Sequence, residues 1–281
     1  MKLIADSGST KTDWILLGDD GSDQFQTVGL NPYFLNQQEI VERIIEGVSN
    51  NINHGRQISS VHFYGAGCGL KEKQDFVQSA ISQAIPEVDS IEVASDMLGA
   101  ARSLFQGEKG IACILGTGAN SCVYDGSKII DNVPSLGYVL ADWGSGAVIG
   151  REFISAILLR KFSKELVQAF YDRYQFTHVQ LMERIYGGRF PNRFLASFLP
   201  FLVEWKDDEL CRAILEDNFE KFVEYYILSY QEEIKDMKVK CVGSVAYHFR
   251  EILESVANQK GVELVYVSKS PIQDLTAFHR D

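Results

Sequence analysis

Apolar and polar positions near the start of the chain alternate between strand-like and helix-like patterns. Residues 2–6 and 12–17 are short apolar runs on either side of a turn, and they predict two strands. Residues 35–51 repeat apolar positions at helical spacing, with Asn36 and Glu39 placed as a capping box. The apolar positions of this predicted helix are Ile40, Val41, Ile44, Ile45 and Val48.

The same alternation continues to about residue 105. ISSVHFYGAG (58–67) predicts a buried strand, and KEKQDFVQSAISQAI (71–85) predicts an amphipathic helix that ends at Pro86. SIEVASD (90–96) predicts a strand, and DMLGAARSLF (96–105) predicts a short helix. Strands that take turns with helices indicate an α/β sheet with crossover connections.

The second half of the chain has a different distribution of patterns. Residues 151–235 are almost entirely helical in pattern, interrupted at YGGRFPNR (186–193), and strand–helix–strand order returns over 239–268. No low-complexity linker separates the halves, so a boundary between domains is expected to be a hinge.

Composition narrows the class of protein. The 281 residues carry a formal net charge of −11, which argues against a nucleic-acid or acidic-membrane partner, because phosphate surfaces require clustered Lys and Arg. No apolar run is as long as a membrane span, and Asp6 follows only three apolar residues, so no signal peptide is predicted. Five cysteines without a CxxC pair favour a reduced, cytoplasmic protein.

Two short segments of the chain resemble each other. LIADSGSTKTDWILLGDDG (3–21) and CILGTGANSCVYDGSK (113–128) can be aligned by placing Gly8 on Gly118 and Ile4 on Ile114. Each reads as strand, turn of small residues, strand and a second turn with Asp and Gly. Chance similarity of two hairpins is one explanation. A duplicated nucleotide-binding unit is the other, because successive N–H groups in such turns bind phosphate oxygens without a positive charge.

Other phosphate-binding loops do not fit. The spacing GxxxxGK[ST] is absent, and GAGCGL (65–70) departs from GxGxxG at its last position, Leu70. The protein-kinase signatures HRD and DFG are absent as well.

Four motifs, in order along the chain, carry a family resemblance. DSGSTKTDW (6–14) resembles the phosphate-1 signature DGGGTKT of the acetate kinase, sugar kinase and actin superfamily. ILGTGANS (114–121) is similar to the phosphate-2 loop of the group that contains N-acetylglucosamine kinases and the BadF/BadG/BcrA/BcrD ATPases. LGYVLADWGSGAVIGREF (136–153) looks like the GHLLGDEGSG..IG segment of that group, and CVGSVAYHF (241–249) resembles its adenosine motif.

The resemblance implies a two-lobed α/β protein with an actin-like ATPase (ribonuclease H-like) fold and duplicated domains. The N-terminal lobe is expected to cover residues 1–110 and the C-terminal lobe residues 111–281. A terminal helix, at about residues 270–281, is expected to pack back across the hinge. Domain closure on sugar and MgATP would exclude water from the reaction.

The resemblance also implies ATP and Mg²⁺ as the nucleotide and the metal. Asp6 is expected to anchor Mg²⁺ through water, and Lys11 can place a point charge on a phosphate oxygen. Gly8, Gly116 and Gly118 would permit positive φ angles and close approach of the backbone. The expected ATP-binding residues are Asp6, Gly8, Ser9, Thr10, Lys11, Gly116, Thr117, Gly118, Ala119, Asn120, Gly243 and Ser244.

Asp96 is the expected catalytic base. It follows a predicted strand and opens a helix, a position where an aspartate is also common simply because it suits the helix dipole. In the family, the aspartate at the end of this strand accepts the proton of the sugar hydroxyl that attacks the γ-phosphoryl group.

Asn31, Gly67 and Asp142 are the expected sugar contacts. Amide and carboxylate groups pair with ring hydroxyls, although Asn31 before Pro32 is also a turn signal and Asp142 could cap a helix. ADWG stands where the family has GDEG, so Ala141 and Trp143 leave the sugar specificity open. Ser7 and Ser9 also replace glycines of the phosphate-1 signature.

These observations predict an ATP-dependent kinase that phosphorylates an amino sugar, either N-acetylglucosamine or N-acetylmuramic acid. One alternative is a BadF-type ATPase that activates a dehydratase or reductase and holds an iron–sulfur cluster between subunits. Cys113 and Cys122 lie inside predicted strands and would be poor cluster ligands. Another alternative is a nucleotide- or sugar-binding sensor without catalysis. The sequence leaves open whether the chain forms a homodimer.

Overall fold

The computed structural model describes residues 1–18, 21–52 and 57–280. Asp19 and Asp20 of the predicted second turn, and Asp281 of the predicted terminal helix, lie outside the described residues. The strands are β1 (Lys2–Ser7), β2 (Lys11–Gly18), β3 (Gly21–Val28), β4 (Ser60–Gly65), β5 (Ser90–Ser95), β6 (Gly110–Leu115), β7 (Ala119–Tyr124), β8 (Ile129–Asn132), β9 (Val239–Val242) and β10 (Leu264–Ser268).

The helices follow the same order. They are α1 (Gln37–Asn51), α2 (Lys71–Ala84), α3 (Asp96–Phe105), α4 (Gly137–Leu140), α5 (Gly146–Leu158), α6 (Lys164–Tyr174), α7 (His178–Tyr186), α8 (Pro191–Ala196), α9 (Leu199–Glu204), α10 (Glu209–Phe222), α11 (Ser244–His248), α12 (Arg250–Gln259) and α13 (Ile272–Phe278). A π-helix covers Val223–Ile227, and a short 3₁₀-helix covers Glu233–Lys235. Within the described residues, no helix is both long enough and apolar enough to cross a membrane.

Two five-stranded sheets repeat one strand order. The first runs β3-β2-β1-β4-β5, and the second runs β8-β7-β6-β9-β10. In the first sheet β1 and β2 are antiparallel, while β1, β4 and β5 are parallel. In the second sheet β6, β9 and β10 are parallel in the corresponding positions. The predicted α/β class and internal duplication are therefore confirmed.

The predicted alignment of the two repeated segments, which places Gly8 on Gly118, is wrong by two residues. Gly8 directly follows β1 and donates its N–H to the carbonyl of Lys11, at 2.9 Å. Gly116 directly follows β6 and donates its N–H to the carbonyl of Gly118, at 2.9 Å. Gly8 therefore corresponds to Gly116 and not to Gly118. The alignment matched identical letters, whereas the correspondence of the two turns is set by where β1 and β6 end.

The chain divides into two compact units. The first unit consists of Met1–Lys109, Tyr124–Ile130 and Ser270–Asp281, and the second of Gly110–Val123 and Asp131–Lys269. Within the first unit, α13 packs on β1, β2 and α3. Its residues Ile272 and Leu275 are buried against Ile4 and Ile15.

Helix α1 shows how local sequence sets an element. The Asn36 side chain accepts a hydrogen bond from the N–H of Glu39, and the Glu39 side chain accepts one from the N–H of Asn36. The predicted capping box is confirmed, and Ile40 and Ile44 are buried as expected. Ile45 is 44% exposed, so it does not belong to the buried stripe. It lies one residue, or about 100°, around the helix from Ile44.

A polar network joins the C-terminal segment to the first sheet. His279 shares a hydrogen bond of 2.8 Å with the Tyr64 hydroxyl, which also accepts one from Arg102 at 2.7 Å. Arg102 also donates to Glu92, and the ring of His62 lies 4.0 Å from the ring of His279, centroid to centroid. Burial, followed by the charge of His62, lowers the pKa of His279 to about 4. The native state therefore holds His279 neutral.

This network predicts a loss of stability in mild acid. The unfolded chain takes up a proton at His279 near its ordinary pKa of 6.5, whereas the folded protein does so only near 4. The contribution of neutral His279 to the free energy of unfolding is therefore complete above pH 6.5 and is lost as the pH falls from 6.5 towards 4. Urea unfolding at pH 7.5 and pH 5.0 should show the wild type losing about 2 kcal/mol more than His279→Gln. Equal losses in both proteins would contradict this assignment.

Candidate functional site

The phosphate-1 turn of the first unit lies beside three carboxylates. Asp6 is half-buried near the end of β1, directly opposite Asp13 on β2. Desolvation, and then the charges of Asp96 and Asp13, raise the pKa of Asp6 to about 7, and Lys11 opposes the shift. The structure therefore brings Asp6 and Asp96 into electrostatic range of each other.

Lys11 is held by a residue that sequence reasoning missed. Its side chain is 54% exposed, and its Nζ lies 2.8 Å from Asp13 Oδ2. Asp13 is buried and also accepts a hydrogen bond from Gln26. A charged residue inside the apolar strand segment TDWILL was the available signal.

Asp96 is the first residue of α3. The Ser95 side chain accepts a hydrogen bond from the N–H of Leu98 and so caps the helix, while the N–H of Met97 donates to Asp96 Oδ1 at 2.9 Å. Burial raises the pKa of the Asp96 carboxyl, although the bond from Met97 opposes the shift. A raised pKa makes this carboxylate a stronger base than an ordinary exposed aspartate.

The structure brings Asn31 and Gly67 together. Asn31 is buried, and its Oδ1 accepts a hydrogen bond from the N–H of Tyr33 at 2.9 Å. Gly67 has a φ of +85°, and a Cβ there would lie only 2.7 Å from Asn31 Oδ1. Two of the three expected sugar contacts therefore adjoin each other in the first unit.

In the second unit, the phosphate-2 turn is held by the start of α5. The N–H groups of Gly146 and Ala147 donate to the carbonyls of Gly116 and Thr117, at 2.8 and 3.1 Å. The Asn120 side chain accepts hydrogen bonds from the N–H of Ser121 and from Asn132. The N-terminus of α5 therefore holds the carbonyl groups of the turn in place.

The predicted use of positive φ at the turn glycines is wrong. The described glycines with positive φ do not include Gly8, Gly116 or Gly118. A Cβ on Gly116 would meet no atom within 4 Å, and one on Gly118 would meet only Asp142 Oδ2, at 3.2 Å. These turns close without left-handed residues, and Gly116 leaves space next to the backbone.

Gly243 contacts the same turn from the adenosine motif. It has a φ of +129°, and a Cβ there would lie 2.2 Å from the carbonyl oxygen of Leu115. Ser244 follows as the first residue of α11. The structure therefore places Gly243 against the phosphate-2 turn.

Asp142 has a strained backbone and an unpaired carboxylate oxygen. Its φ is +57°, and its N–H donates to the hydroxyl of Tyr226 at 2.9 Å. The residue is 7% exposed, and its Oδ1 has no hydrogen-bond partner among the described residues. Desolvation raises the pKa of Asp142 to about 6. A buried acceptor of this kind is suited to a ligand that donates a hydrogen bond.

Tyr226 is a second residue that sequence reasoning missed. It lies in the π-helix Val223–Ile227, and its carbonyl accepts a hydrogen bond from Ser121 Oγ at 2.6 Å. Tyr226 therefore connects the strand after the phosphate-2 turn with the backbone of Asp142. Inserted π turns often mark functional segments, but neither composition nor periodicity predicts them.

Asp142→Asn is expected to stabilise the ligand-free protein, and to do so more at pH 8 than at pH 5. The amide removes a buried negative charge on a carboxylate whose Oδ1 has no hydrogen-bond partner among the described residues, so the ligand-free variant should be more stable than the wild type by about 1–2 kcal/mol at pH 8. The gain should shrink at pH 5, because the wild-type carboxyl, with a pKa raised to about 6, is then mainly protonated. Urea unfolding at both pH values measures this difference. The prediction would be wrong if the variant's gain in free energy of unfolding over the wild type were smaller at pH 8 than at pH 5.

The repeated strand order and the two glycine turns define an actin-like ATPase fold. The family model for the BadF/BadG/BcrA/BcrD ATPase family matches residues 5–166. This chain belongs to that family, as the sequence motifs predicted.

Solved structures support the same classification. A candidate N-acetylglucosamine kinase from Porphyromonas gingivalis is 42% identical, with a TM-score of 0.94 over 99% of this chain and 98% of that chain. A second candidate N-acetylglucosamine kinase, from Chromobacterium violaceum, is 19% identical, with a TM-score of 0.75 over 99% and 98% of the two chains, and this similarity concerns the fold alone.

More distant similarity concerns the fold alone. A ROK family glucokinase from Streptomyces griseus, in complex with glucose and AMPPNP, is 13% identical, with a TM-score of 0.58 over 98% of this chain and 97% of that chain. Among curated protein sequences, none matches the chain.

Proposed function

We propose that this protein is an ATP-dependent sugar kinase that phosphorylates an amino sugar, N-acetylglucosamine or N-acetylmuramic acid. The observation that carries the proposal is the pair of carboxylates Asp6 and Asp96 at one end of the first sheet. Their neighbours Ser7 and Ser95 are in register with Gly65 across β1, β4 and β5. The 42% identity to a candidate N-acetylglucosamine kinase supports the choice of sugar.

Asp96 is the general base in this proposal. The attacking sugar hydroxyl is neutral and loses its proton as its oxygen bonds to the γ-phosphorus of ATP. Asp96 accepts that proton, while the bond from the γ-phosphorus to the bridging oxygen breaks and ADP leaves. The N–H of Met97 holds one carboxylate oxygen, which leaves the other to face the hydroxyl.

The phosphate-1 and phosphate-2 turns bind ATP in this proposal. Backbone N–H groups and the hydroxyls of Ser9, Thr10 and Thr117 supply neutral donors, which suits a protein of net charge −11. Lys11 supplies the positive charge of its turn, and Gly243 and Ser244 are the residues proposed to contact the adenosine.

The carboxylates of the first unit are suited to Mg²⁺. Desolvation, and then the charges of Asp96 and Asp13, raise the pKa of Asp6, so a cation next to Asp6 would relieve part of this penalty. Among the described residues, no group of three or more His, Cys, Asp or Glu side chains is placed to hold a metal ion. In this proposal the phosphates of ATP and water supply the remaining oxygen ligands of the ion. When bound, the ion neutralises charge on the phosphates of ATP.

The sugar contacts are Asn31, Gly67 and Asp142 in this proposal. Asn31 and Asp142 supply amide and carboxylate groups for ring hydroxyls or the acetamido N–H. The unpaired Oδ1 of Asp142 would gain a donor on sugar binding. Plain glucose would leave an acetamido-binding group without its partner, and that loss is a strong source of discrimination.

The activator alternative fits the cysteines poorly. All five cysteines are buried. Cys113 and Cys241 lie opposite each other in register on β6 and β9, inside the second sheet. A cluster shared between subunits would need exposed thiolates on loops.

A coupled ADP-release assay with MgATP tests the proposed substrate class. The panel consists of N-acetylglucosamine, N-acetylmuramic acid, N-acetylmannosamine, glucosamine and glucose. We expect N-acetylglucosamine or N-acetylmuramic acid to stimulate ADP release by at least about tenfold more than glucose or glucosamine. If no sugar stimulates release while ATP still binds, the kinase proposal is wrong.

A further inference from the structure

The hydroxyl of Ser7 is buried beside the phosphate-1 turn. Ser7 is 1% exposed, and its Oγ lies 2.8 Å from Thr12 Oγ1. The same Oγ accepts a hydrogen bond from the N–H of Leu30, at 3.1 Å. The phosphate-1 signature has glycine at this position, and glycine could form neither contact.

The main chain of Ser7 makes a second connection. Its carbonyl accepts a hydrogen bond from the N–H of Ala66, at 2.8 Å. Leu30 directly precedes Asn31, and Ala66 directly precedes Gly67. Ser7 therefore bonds to both segments of the first unit that carry proposed sugar contacts, and it directly precedes Gly8 of the turn.

Gly29 strengthens the contact with the turn. Its N–H donates to the carbonyl of Thr10 at 3.1 Å. A Cβ on Gly29 would lie 2.5 Å from the carbonyl oxygen of Gly8 and 2.7 Å from that of Ser9. The backbone at residue 29 thus lies directly on the turn, so a shift of the turn must displace residues 29–31 as well.

We infer that Ser7 is a positioning residue that couples phosphate binding at the turn of residues 8–11 to sugar binding at Asn31 and Gly67. The inference rests on the proposed function. A phosphate that orders the turn also fixes, through Ser7, the two segments that contact the sugar. Each ligand then binds more tightly when the other is present, because coupling between two sites is reciprocal.

Calorimetric binding of N-acetylglucosamine, with and without Mg²⁺ and AMPPNP, tests the inference. In the wild type, we expect the nucleotide to tighten sugar binding by about fivefold or more. In Ser7→Ala, and in Ser7→Gly, which restores the residue of the family signature, the factor by which the nucleotide tightens sugar binding should fall by about half. It should not vanish, because the main-chain bond from Ala66 and the contact of Gly29 with the turn remain. The second variant keeps the test informative if the first does not fold.

Ser103→Ala is the matched control, because it removes a buried serine hydroxyl that bonds only within α3, to the carbonyl of Ala100. It should keep the wild-type coupling factor. A role in stability alone would lower the melting temperature of the Ser7 variants and leave the factor unchanged. That result, or a wild type without coupling, would overturn the inference while leaving the kinase proposal intact. A wild type that binds none of the sugars in the panel would overturn both.

Discussion

Asp96→Asn is expected to lower kcat by about 10²–10⁴-fold, the range that general-base catalysis contributes. The asparagine side chain can still accept the hydrogen bond that Met97 donates to Asp96 Oδ1, so the start of α3 should keep its structure. What the variant loses is the ability to accept the proton of the sugar hydroxyl. The Kd values for sugar and for AMPPNP should change by less than about threefold, because uniform binding is not affected.

Steady-state kinetics and calorimetry measure these quantities. Asp89→Asn serves as the control, because Asp89 is exposed on the connection before β5 and should keep wild-type kcat. A variant of Asp96 that retains more than about a tenth of wild-type kcat would remove this residue as the base.

Gly243→Ala is expected to weaken nucleotide binding by at least about tenfold and to destabilise the protein by about 2–4 kcal/mol. The added Cβ would lie 2.2 Å from the carbonyl oxygen and 2.6 Å from the carbonyl carbon of Leu115, and a residue with a φ of +129° strains any L side chain. Both obstacles are backbone atoms, so no side chain can rotate away. The displaced segment directly precedes Gly116 and the phosphate-2 turn.

Gly261→Ala is the control that distinguishes the strain of a positive φ from the clash with Leu115. Gly261 also has a positive φ, +78°, but a Cβ there would meet no atom within 4 Å. This control should lose about 1 kcal/mol of stability and keep the wild-type Kd for ADP. If Gly243→Ala binds ADP as tightly as Gly261→Ala does, the adenosine motif does not position the phosphate-2 turn.

Periodicity and turn residues were sufficient to predict much of the fold. Strand-length apolar runs that alternate with amphipathic segments predicted the α/β class, and Asn36 with Glu39 marked the start of α1 correctly. Both signals are local, because a cap or an amphipathic face is set by residues a few positions apart. Ile45 was predicted to belong to the apolar face of α1 but is exposed, because only part of that face packs against neighbouring elements.

The candidate site was predictable where motifs are contiguous. Residues 6–11 and 116–120 are each one contiguous segment that includes a turn, so sequence alone could identify them as phosphate-binding candidates. The adjacency of Asn31 and Gly67 depends on two separate chain segments that meet near the first sheet, and no spacing along the chain shows it.

Residues that act through neighbours were the ones missed. Asp13 matters because it lies opposite Asp6 in register, and Tyr226 matters because a π turn directs its hydroxyl to the N–H of Asp142. Ser7 looked like a tolerable replacement for glycine, but its hydroxyl bonds to the segment before Asn31. Such roles depend on tertiary contacts between distant chain segments, and local sequence patterns do not predict those contacts.

Product analysis tests whether this protein transfers the γ-phosphoryl group of ATP to an amino sugar. The protein is incubated with MgATP and N-acetylglucosamine or N-acetylmuramic acid, and the quenched mixture is analysed by ³¹P NMR for sugar phosphate, ADP and inorganic phosphate. We expect sugar phosphate and ADP in equal amounts with one of these sugars, and at most about a hundredth of the wild-type yield from Asp96→Asn after the same short incubation. ADP accompanied by inorganic phosphate alone, or equal yields of sugar phosphate from the wild type and the variant, would contradict this expectation.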